Sequence, residues 1–194
     1  MRLSQALAAV LAVCFASGWA YGQVQNTATY YYMSSDSSVM EVLTDGNHTP
    51  DLGTAAWQSV TLNQLKAAGI NPPSANEAAA CSLGMISGQD PPVTGFHMNS
   101  WINVGTETPP AKWVIGGATT WRDWYNPGSL RSTCTLYKNE GYAAFADSRP
   151  QWGYTVKIQT RKLKFPSSEV WPWRAHGGHW YGNEWYYTDC PVLF

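Results

Sequence analysis

The sequence carries little charge, few cysteines and only one long apolar run. Charged residues make up 13% of the 194 residues and the net charge is −1, which excludes a basic nucleic-acid-binding protein and an acidic disordered tail. The phosphate-binding motifs G-x-x-x-x-G-K and G-x-G-x-x-G, the G-x-S-x-G motif of serine esterases and the H-E-x-x-H zinc motif are all missing from the sequence. We therefore expect no cofactor and no nucleic-acid partner.

The one long apolar run lies at the N-terminus. It covers Leu3 to Ala16, fewer than the about 20 residues that a membrane-spanning helix needs. Ala20 and Gly22 have the spacing of a signal-peptidase site, which predicts a signal peptide over residues 1–22 and a single secreted β-rich domain over 23–194. Cleavage after Ala20 and a retained membrane anchor are alternatives. The expected location is extracellular, with the periplasm or the cell surface as variants.

Removal of the signal peptide leaves three cysteines, which is an odd number for a compartment where thiols oxidise. We expect one disulfide between Cys134 and Cys190, because both lie in the strand-rich C-terminal half. A bridge between Cys81 and Cys134 is the alternative. The third thiol is then either buried or paired with another chain.

The segment Asn47-His48-Thr49 is a glycosylation sequon. It predicts that this turn lies at the surface. Asn47 is expected to be glycosylated only if the source is a eukaryote.

Alternation of apolar and polar residues predicts β-strands over most of the chain. In Phe96 to Val104 the even positions are apolar apart from Ser100, and the odd positions carry His97, Trp101 and two asparagines. Turn signals separate further runs of this kind: Tyr30 to Met33, Val39 to Leu43, Lys112 to Ile115, Thr119 to Tyr125, Thr133 to Tyr137, Tyr142 to Phe145, Gln151 to Thr160 and His179 to Tyr187. Such regular spacing predicts a mainly β fold, an antiparallel sandwich or barrel-like domain.

Two short helices are predicted in the N-terminal half. The apolar spacing in Thr61 to Ala68 indicates the first, which Gly69 ends. Ser74 to Glu77 fits a capping box for a second helix that continues to Ser82. Helices this short are not stable alone, so we expect them to pack on the strands.

Charge is distributed unevenly along the chain. Residues 23–110 have one base and seven acids, whereas residues 111–194 have ten bases and six acids. This polarity can orient the molecule on a charged surface or favour head-to-tail association, unless the charges mix in the folded molecule.

Four bases lie close together where the alternation shifts by one residue, which predicts a bulge or turn near Arg161-Lys162. They indicate either an anionic partner or protection of an edge strand from unwanted pairing. The four are Lys157, Arg161, Lys162 and Lys164.

Tryptophan is unusually frequent. Ten tryptophans follow residue 22 and eight of these lie between positions 113 and 185, more than a core of this size needs. Exposed aromatic rings can stack on sugars, lie at a membrane surface, or pack at subunit contacts. Neighbouring polar residues favour sugar. The predicted ligand-binding residues are Trp121, Arg122, Asp123, Trp124, Trp171, Trp173, Trp180, Asn183, Glu184 and Trp185.

These residues do not all face the same way. On a strand, Trp121 and Asp123 would share one face and Arg122 and Trp124 the other. If the protein is a hydrolase, Asp123 and Glu184 are the carboxylate pair that we nominate, because both lie among aromatics.

A histidine pair lies where the last predicted strand begins. His176 and His179 enclose two glycines, which argue against a helix that would place both imidazoles on one face. A loop could still bring both to one metal ion, and the alternative is a hydrogen-bonded turn. The pair is therefore a metal-site prediction.

The sequence thus predicts a secreted, non-enzymatic binding or adhesion module that recognises a glycan or cell-surface polysaccharide. The first alternative is a structural subunit of an extracellular assembly, such as a pilus, filament or surface layer, and hence a homo-oligomer. A secreted hydrolase and a membrane-binding protein are further alternatives.

Overall fold

A computed structural model describes residues 26–52, 56–79, 87–88, 94–107, 111–123 and 127–194. In these ranges the chain forms two antiparallel sheets and two short helices, which confirms the predicted mainly β class and sandwich- or barrel-like architecture. The strands are β1 (Ala28–Ser34), β2 (Val39–Thr44), β3 (Trp57–Val60), β4 (Ser87–Gly88), β5 (Phe96–Glu107), β6 (Ala111–Arg122), β7 (Gly128–Lys138), β8 (Gly141–Asp147), β9 (Gln151–Gly153), β10 (Thr155–Gln159), β11 (Leu163–Pro166), β12 (Pro172–Tyr181) and β13 (Glu184–Leu193). The helices are α1 (Leu62–Ala67) and α2 (Pro73–Ala79). The signal-peptide prediction concerns residues outside these ranges.

The two sheets face each other. The first has the order β3-β1-β2-β10-β6-β5, and β11 pairs with β6 beyond the end of β10. The second has the order β4-β13-β12-β7-β8, with β9 paired to β7 next to β8. Because β6 packs against β7 and β12, the core lies between the sheets. Within the described ranges, no helix has the length and hydrophobicity needed to cross a membrane.

The core follows the period-two pattern of the strands. Phe96, Leu130, Leu136 and Ile158 are fully buried between the sheets. A small polar cluster lies among them, in which the two ring nitrogens of His179 are each 2.8 Å from a threonine hydroxyl. These pairs satisfy polar groups that would otherwise be costly to bury.

The first helix begins as predicted, whereas the second begins one residue before its predicted cap. Thr61 caps α1 and forms the capping box with Gln64, whose backbone N–H donates to the threonine hydroxyl at 3.2 Å. Helix α2 begins at Pro73, because the fixed φ of proline suits the first helical position. The capping box predicted from Ser74 to Glu77 is therefore wrong, and the backbone N–H of Ser74 donates instead to Glu41 Oε2 at 3.1 Å. The predicted continuation of α2 to Ser82 lies outside the described residues.

The break predicted near Arg161 is confirmed. Strand β10 ends at Gln159 and β11 begins at Leu163, although both pair with β6. Strand β10 lies between β2 and β6, so Lys157 does not protect a sheet edge. Its ammonium group forms an ion pair with Glu77 of α2 instead.

The predicted bridge between Cys134 and Cys190 is absent, and both are free, buried thiols. Strand β12 separates their strands, so two interstrand spacings place the backbones about 10 Å apart. A disulfide spans a Cα separation of at most about 7 Å. Burial raises the pKa of both thiols, which keeps them protonated at neutral pH. Cys81 lies outside the described residues.

The turn after β2 is at the surface, as the sequon predicts. Asn47 is exposed, and its backbone N–H donates to Asp45 Oδ1 at 3.0 Å. Its glycosylation stays a prediction.

Candidate functional site

The outer face of the second sheet carries aromatic and charged side chains together. Along β12 the odd positions, such as Trp173 and His179, are buried against the first sheet, so the even positions point outward. Directly opposite residues on neighbouring strands share a face. We call the outward side chains of β7, β12 and β13 the platform face: Arg131, Thr133, Thr135, Tyr137, Arg174, His176, Trp180, Trp185, Tyr187 and Asp189.

A long hairpin positions half of this face. Strands β12 and β13 pair from Tyr181 opposite Glu184 to Pro172 opposite Leu193, through a two-residue turn. Gly182 in that turn has φ +65°, a conformation that glycine adopts without strain. The hairpin thereby fixes Trp180 directly opposite Trp185.

The ring of Trp185 lies across the neighbouring strand. Gly178 has no side chain, and a Cβ atom there would overlap Thr133 Oγ1 and lie 3.3 Å from the ring of Trp185. The guanidinium of Arg131, which projects from β7, is 5.0 Å from the centroid of that ring. The glycine thus lets the indole lie close to the β12 backbone and within cation–π distance of an arginine.

Arg131 is itself fixed by an acid on β8. Its Nε donates to Asp147 Oδ1 at 2.9 Å and its Nη2 donates to Oδ2 at 2.6 Å, a bidentate pair. Burial tends to raise the pKa of Asp147, but the hydrogen bonds from Arg131 and from the Arg149 backbone outweigh burial and lower it. The carboxylate therefore stays charged and keeps Arg131 in place at neutral pH.

A second charged group lies further along the same face. Arg174 donates to Asp189 Oδ1 at 2.9 Å and to Glu140 Oε2 at 2.8 Å, and its guanidinium is 4.4 Å from the ring centroid of Tyr137. His176 Nδ1 is also 2.9 Å from Asp189 Oδ1. The cations and anions of this face are thus paired side by side.

Several aromatic rings of this sheet remain open to solvent. Tyr187 is 42% exposed and its ring stacks on His176 with centroids 5.1 Å apart. Phe145 of β8 is 43% exposed and pairs with Thr135, so it extends the face sideways. Flat apolar rings beside oriented donors and acceptors can bind a ligand that has both an apolar face and hydroxyl groups.

Trp173 does not belong to this face, so its predicted ligand contact is wrong. It is 3% exposed and packs in the core against Phe165, with ring centroids 5.3 Å apart. Trp171 is half-buried beside it, and its indole N–H donates to Glu169 Oε2 at 2.6 Å. Lys138 Nζ lies 4.5 Å from the centroid of the Trp171 ring.

The predicted group at the end of β6 lies on the other sheet. Trp121 stacks on His97 with centroids 5.1 Å apart, and His97 Nε2 is 3.1 Å from Asp123 Oδ1. Arg122 points the opposite way, with its guanidinium 5.4 Å from the ring centroid of Tyr181. The predicted split of Trp121 and Asp123 from Arg122 is confirmed, and Trp124 lies outside the described residues.

The remaining predicted residues are near the turn of the hairpin. Asn183 and Glu184 are exposed, and Glu184 accepts a hydrogen bond from Tyr186 at 2.8 Å. Glu184 begins β13 of the second sheet, whereas Asp123 follows β6 of the first. The carboxylate pair nominated for a hydrolase is thus divided between the two sheets.

The two histidines do not form a metal site. A separation of three residues on a strand places His176 on the platform face and His179 between the sheets. Burial, with a smaller contribution from His176, lowers the pKa of His179 to about 3, so its ring is neutral. Within the described part of the chain, no group of three or more His, Cys, Asp or Glu residues could hold a metal ion.

Three residues of this region, Arg131, Asp147 and Tyr187, were not predicted from the sequence. Tyr187 ends one predicted strand and Arg131 lies two residues before another, but only the order of strands in the sheet places them on the same face as Trp185. Phe145 and Asp147 alternate with two alanines that are buried in the structure. This period-two pattern was the signal that could have placed Asp147 on the outer face of β8.

No protein-family model matches the chain, and comparisons with curated proteins and with solved structures give no match.

Proposed function

We propose that the protein is a secreted, non-enzymatic module that binds carbohydrate on the platform face. The observation that carries this proposal is the half-buried Trp185 ring, which lies next to Gly178 with the Arg131 guanidinium 5.0 Å from its centroid. An indole fixed in this way is preorganised, which favours binding to the apolar C–H face of a sugar ring.

The charged pairs beside the rings suit the hydroxyl groups of a sugar. The Arg131–Asp147 and Arg174–Asp189 pairs each offer donors and acceptors in fixed positions. Because opposite charges are paired along the face, it favours a neutral glycan over a strongly charged one. Trp180, Tyr187 and the exposed turn at Asn183 and Glu184 extend the proposed contact surface.

The test is a binding screen with the purified mature protein. A panel of soluble glycans and insoluble polysaccharides is tested by tryptophan fluorescence while light scattering records particle size. We expect saturable quenching by at least one neutral glycan from a monomeric protein. Trp185→Ala should weaken that binding at least tenfold, because removing a central aromatic contact typically costs about 2 kcal/mol or more.

Two outcomes would contradict the proposal. If no glycan binds and the protein forms a discrete oligomer or filament, the aromatic rings belong to subunit contacts and the protein is a structural subunit. If the protein binds liposomes and no glycan, the face contacts membranes. Circular dichroism of Trp185→Ala shows whether a loss of binding reflects loss of the fold.

A further inference from the structure

A cavity lies on the opposite side of the molecule from the platform face. It has a volume of about 430 Å³ and lies between the outer face of the first sheet and the segment that joins α1 to α2. This volume is in the range of small-molecule sites. Its lining includes Ile70, Asn76, Trp113, Ile115, Gln159 and Arg161.

The floor of the cavity is made of fixed amides. Asn76 is 1% exposed, and its Nδ2 donates to Gln159 Oε1 at 2.8 Å while its Oδ1 accepts from Asn103 Nδ2 at 3.1 Å. Gln159 Nε2 donates in turn to the carbonyl oxygen of Asn71 at 3.0 Å. Each amide is oriented by its neighbours, so the polar groups at the floor are preorganised.

One wall is an indole that lies against a glycine. A Cβ atom at Gly105 would overlap the ring of Trp113, so the absence of a side chain lets this ring lie against β5. Lys162 Nζ is 4.9 Å from the centroid of the Trp113 ring. Ile115 completes an apolar side next to the indole.

The rim has one cation more than it has anions. Three bases and two acids line the cavity, and Lys162 and Lys164 both form ion pairs with Glu107, at 3.2 and 2.6 Å. Arg161 is exposed and has no ion-pair contact within 4 Å among the described residues, although its charge helps to lower the pKa of Asp36 on the same rim. The net charge of +1 on the rim suits a ligand with one carboxylate.

We propose that this cavity binds a sugar acid, a six-membered ring with one carboxylate, as a site separate from the platform face. The carboxylate pairs with Arg161, the apolar side of the ring lies beside Trp113 and Ile115, and the hydroxyls reach Asn71, which lines the cavity and is exposed. The choice of a sugar acid as the ligand rests on the proposed carbohydrate function, whereas the anion preference rests on the cavity itself.

The test is calorimetric titration with sodium glucuronate, compared with glucose and with sodium acetate at the same ionic strength. Glucose lacks the carboxylate and acetate lacks the ring, so we expect each to bind at least tenfold more weakly than glucuronate. The affinity for glucuronate should fall as salt is raised, because the contact with Arg161 is partly exposed.

Four variants locate the site. Arg161→Gln and Trp113→Leu should each lower glucuronate affinity at least tenfold. Lys66→Gln removes an exposed positive charge on α1 that does not line the cavity, and it should change the affinity less than twofold. Trp185→Ala on the platform face should also leave it unchanged.

The proposal is overturned if glucuronate does not bind, if glucose or acetate binds as tightly, or if Arg161→Gln binds as well as the unaltered protein. An equal loss in Lys66→Gln would mean general charge attraction and would also overturn it. Failure of the platform proposal has a different signature, since neutral glycans then fail to bind while glucuronate still binds.

Discussion

The outer faces of the two sheets are used in different ways. On the first sheet, helix α2 covers polar side chains and bonds to them through its own polar groups, for example Glu77 to Thr119 at 2.9 Å and Asn76 to Gln159 at 2.8 Å. On the second sheet, the platform face presents Tyr187 and other rings to solvent. Polar groups that are covered stabilise the fold, whereas exposed rings with paired charges between them are available to a ligand.

The largest effect is expected within β12, where the inward and outward tryptophans can be compared directly. Trp173→Ala should lower the free energy of unfolding by about 3–5 kcal/mol, because it leaves a cavity in the core. Trp180→Ala, on the outward side, should lower it by less than about 1 kcal/mol. Urea unfolding of both variants measures the difference, and similar losses would contradict the assignment of the two faces.

The next effect is the pH dependence that comes from His179 between the sheets. Its folded pKa of about 3 lies below the usual value of 6.5, so the unfolded chain binds a proton first as the pH falls. The free energy of unfolding should therefore decrease below about pH 6.5 and continue to decrease towards pH 3. The slope approaches about 1.4 kcal/mol per pH unit for one such group.

Between about pH 6.5 and 5 the carboxylates Asp147 and Asp189 contribute little, because their lowered pKa values lie below this window. The three other histidines are present in both the unaltered protein and His179→Gln, so the difference between the two reports His179. Urea unfolding across this window should give a clear slope for the unaltered protein and a flatter line for His179→Gln. A flat line for the unaltered protein would mean that the ring is not buried in its neutral form.

A smaller difference in the free energy of unfolding is expected between variants of the buried amides under α2 and variants of the partly exposed ion pairs on the platform face. Asn76→Ala should lower the free energy of unfolding by about 1–3 kcal/mol, since it leaves Gln159 and Asn103 without their partner. Arg174→Gln on the platform face should cost less than about 1 kcal/mol, because that pair is partly exposed. Thermal unfolding of both variants should rank them in this order, and the reverse ranking would be inconsistent with a covered first sheet.

A change in both binding and stability is expected at Gly178, which lies next to the Trp185 ring. A Cβ atom in Gly178→Ala would overlap Thr133 Oγ1 and lie 3.3 Å from the ring of Trp185, so both side chains must shift. We expect glycan affinity to fall about two- to tenfold, together with a loss of stability from the displaced Thr133 side chain. Gly182→Ala in the turn is a control for glycine replacement, since its Cβ meets no atom within 4 Å; it should lower stability through its φ of +65° but leave the Trp185 ring in place.

Some of this arrangement was predictable from the sequence, and some was not. The alternation in Phe96 to Val104 predicts β5, and period two correctly separates Trp121 from Arg122. The sequence did not indicate which side of β12 is buried, because the inward residues include a glycine and a histidine as well as Trp173 and so lack a continuous apolar pattern.

Contacts between strands that are far apart in the sequence were also not predictable from the sequence alone. The pairing of Cys134 with Cys190 failed because β12 lies between their strands, which only the strand order reveals. The neighbours of Trp185 come from β7 and β12, so the platform face exists only once the register is fixed. Local patterns predict elements, whereas a site built across three strands requires the tertiary structure.

The most direct test of the account compares one tryptophan from each outer face. Calorimetric titration with the neutral glycan identified by the binding screen is carried out on Trp185→Ala and on Trp121→Ala, with the unaltered protein as reference. We predict at least a tenfold loss of affinity for Trp185→Ala and less than a twofold change for Trp121→Ala. Equal losses, or a loss confined to Trp121→Ala, would contradict the assignment of glycan binding to the platform face.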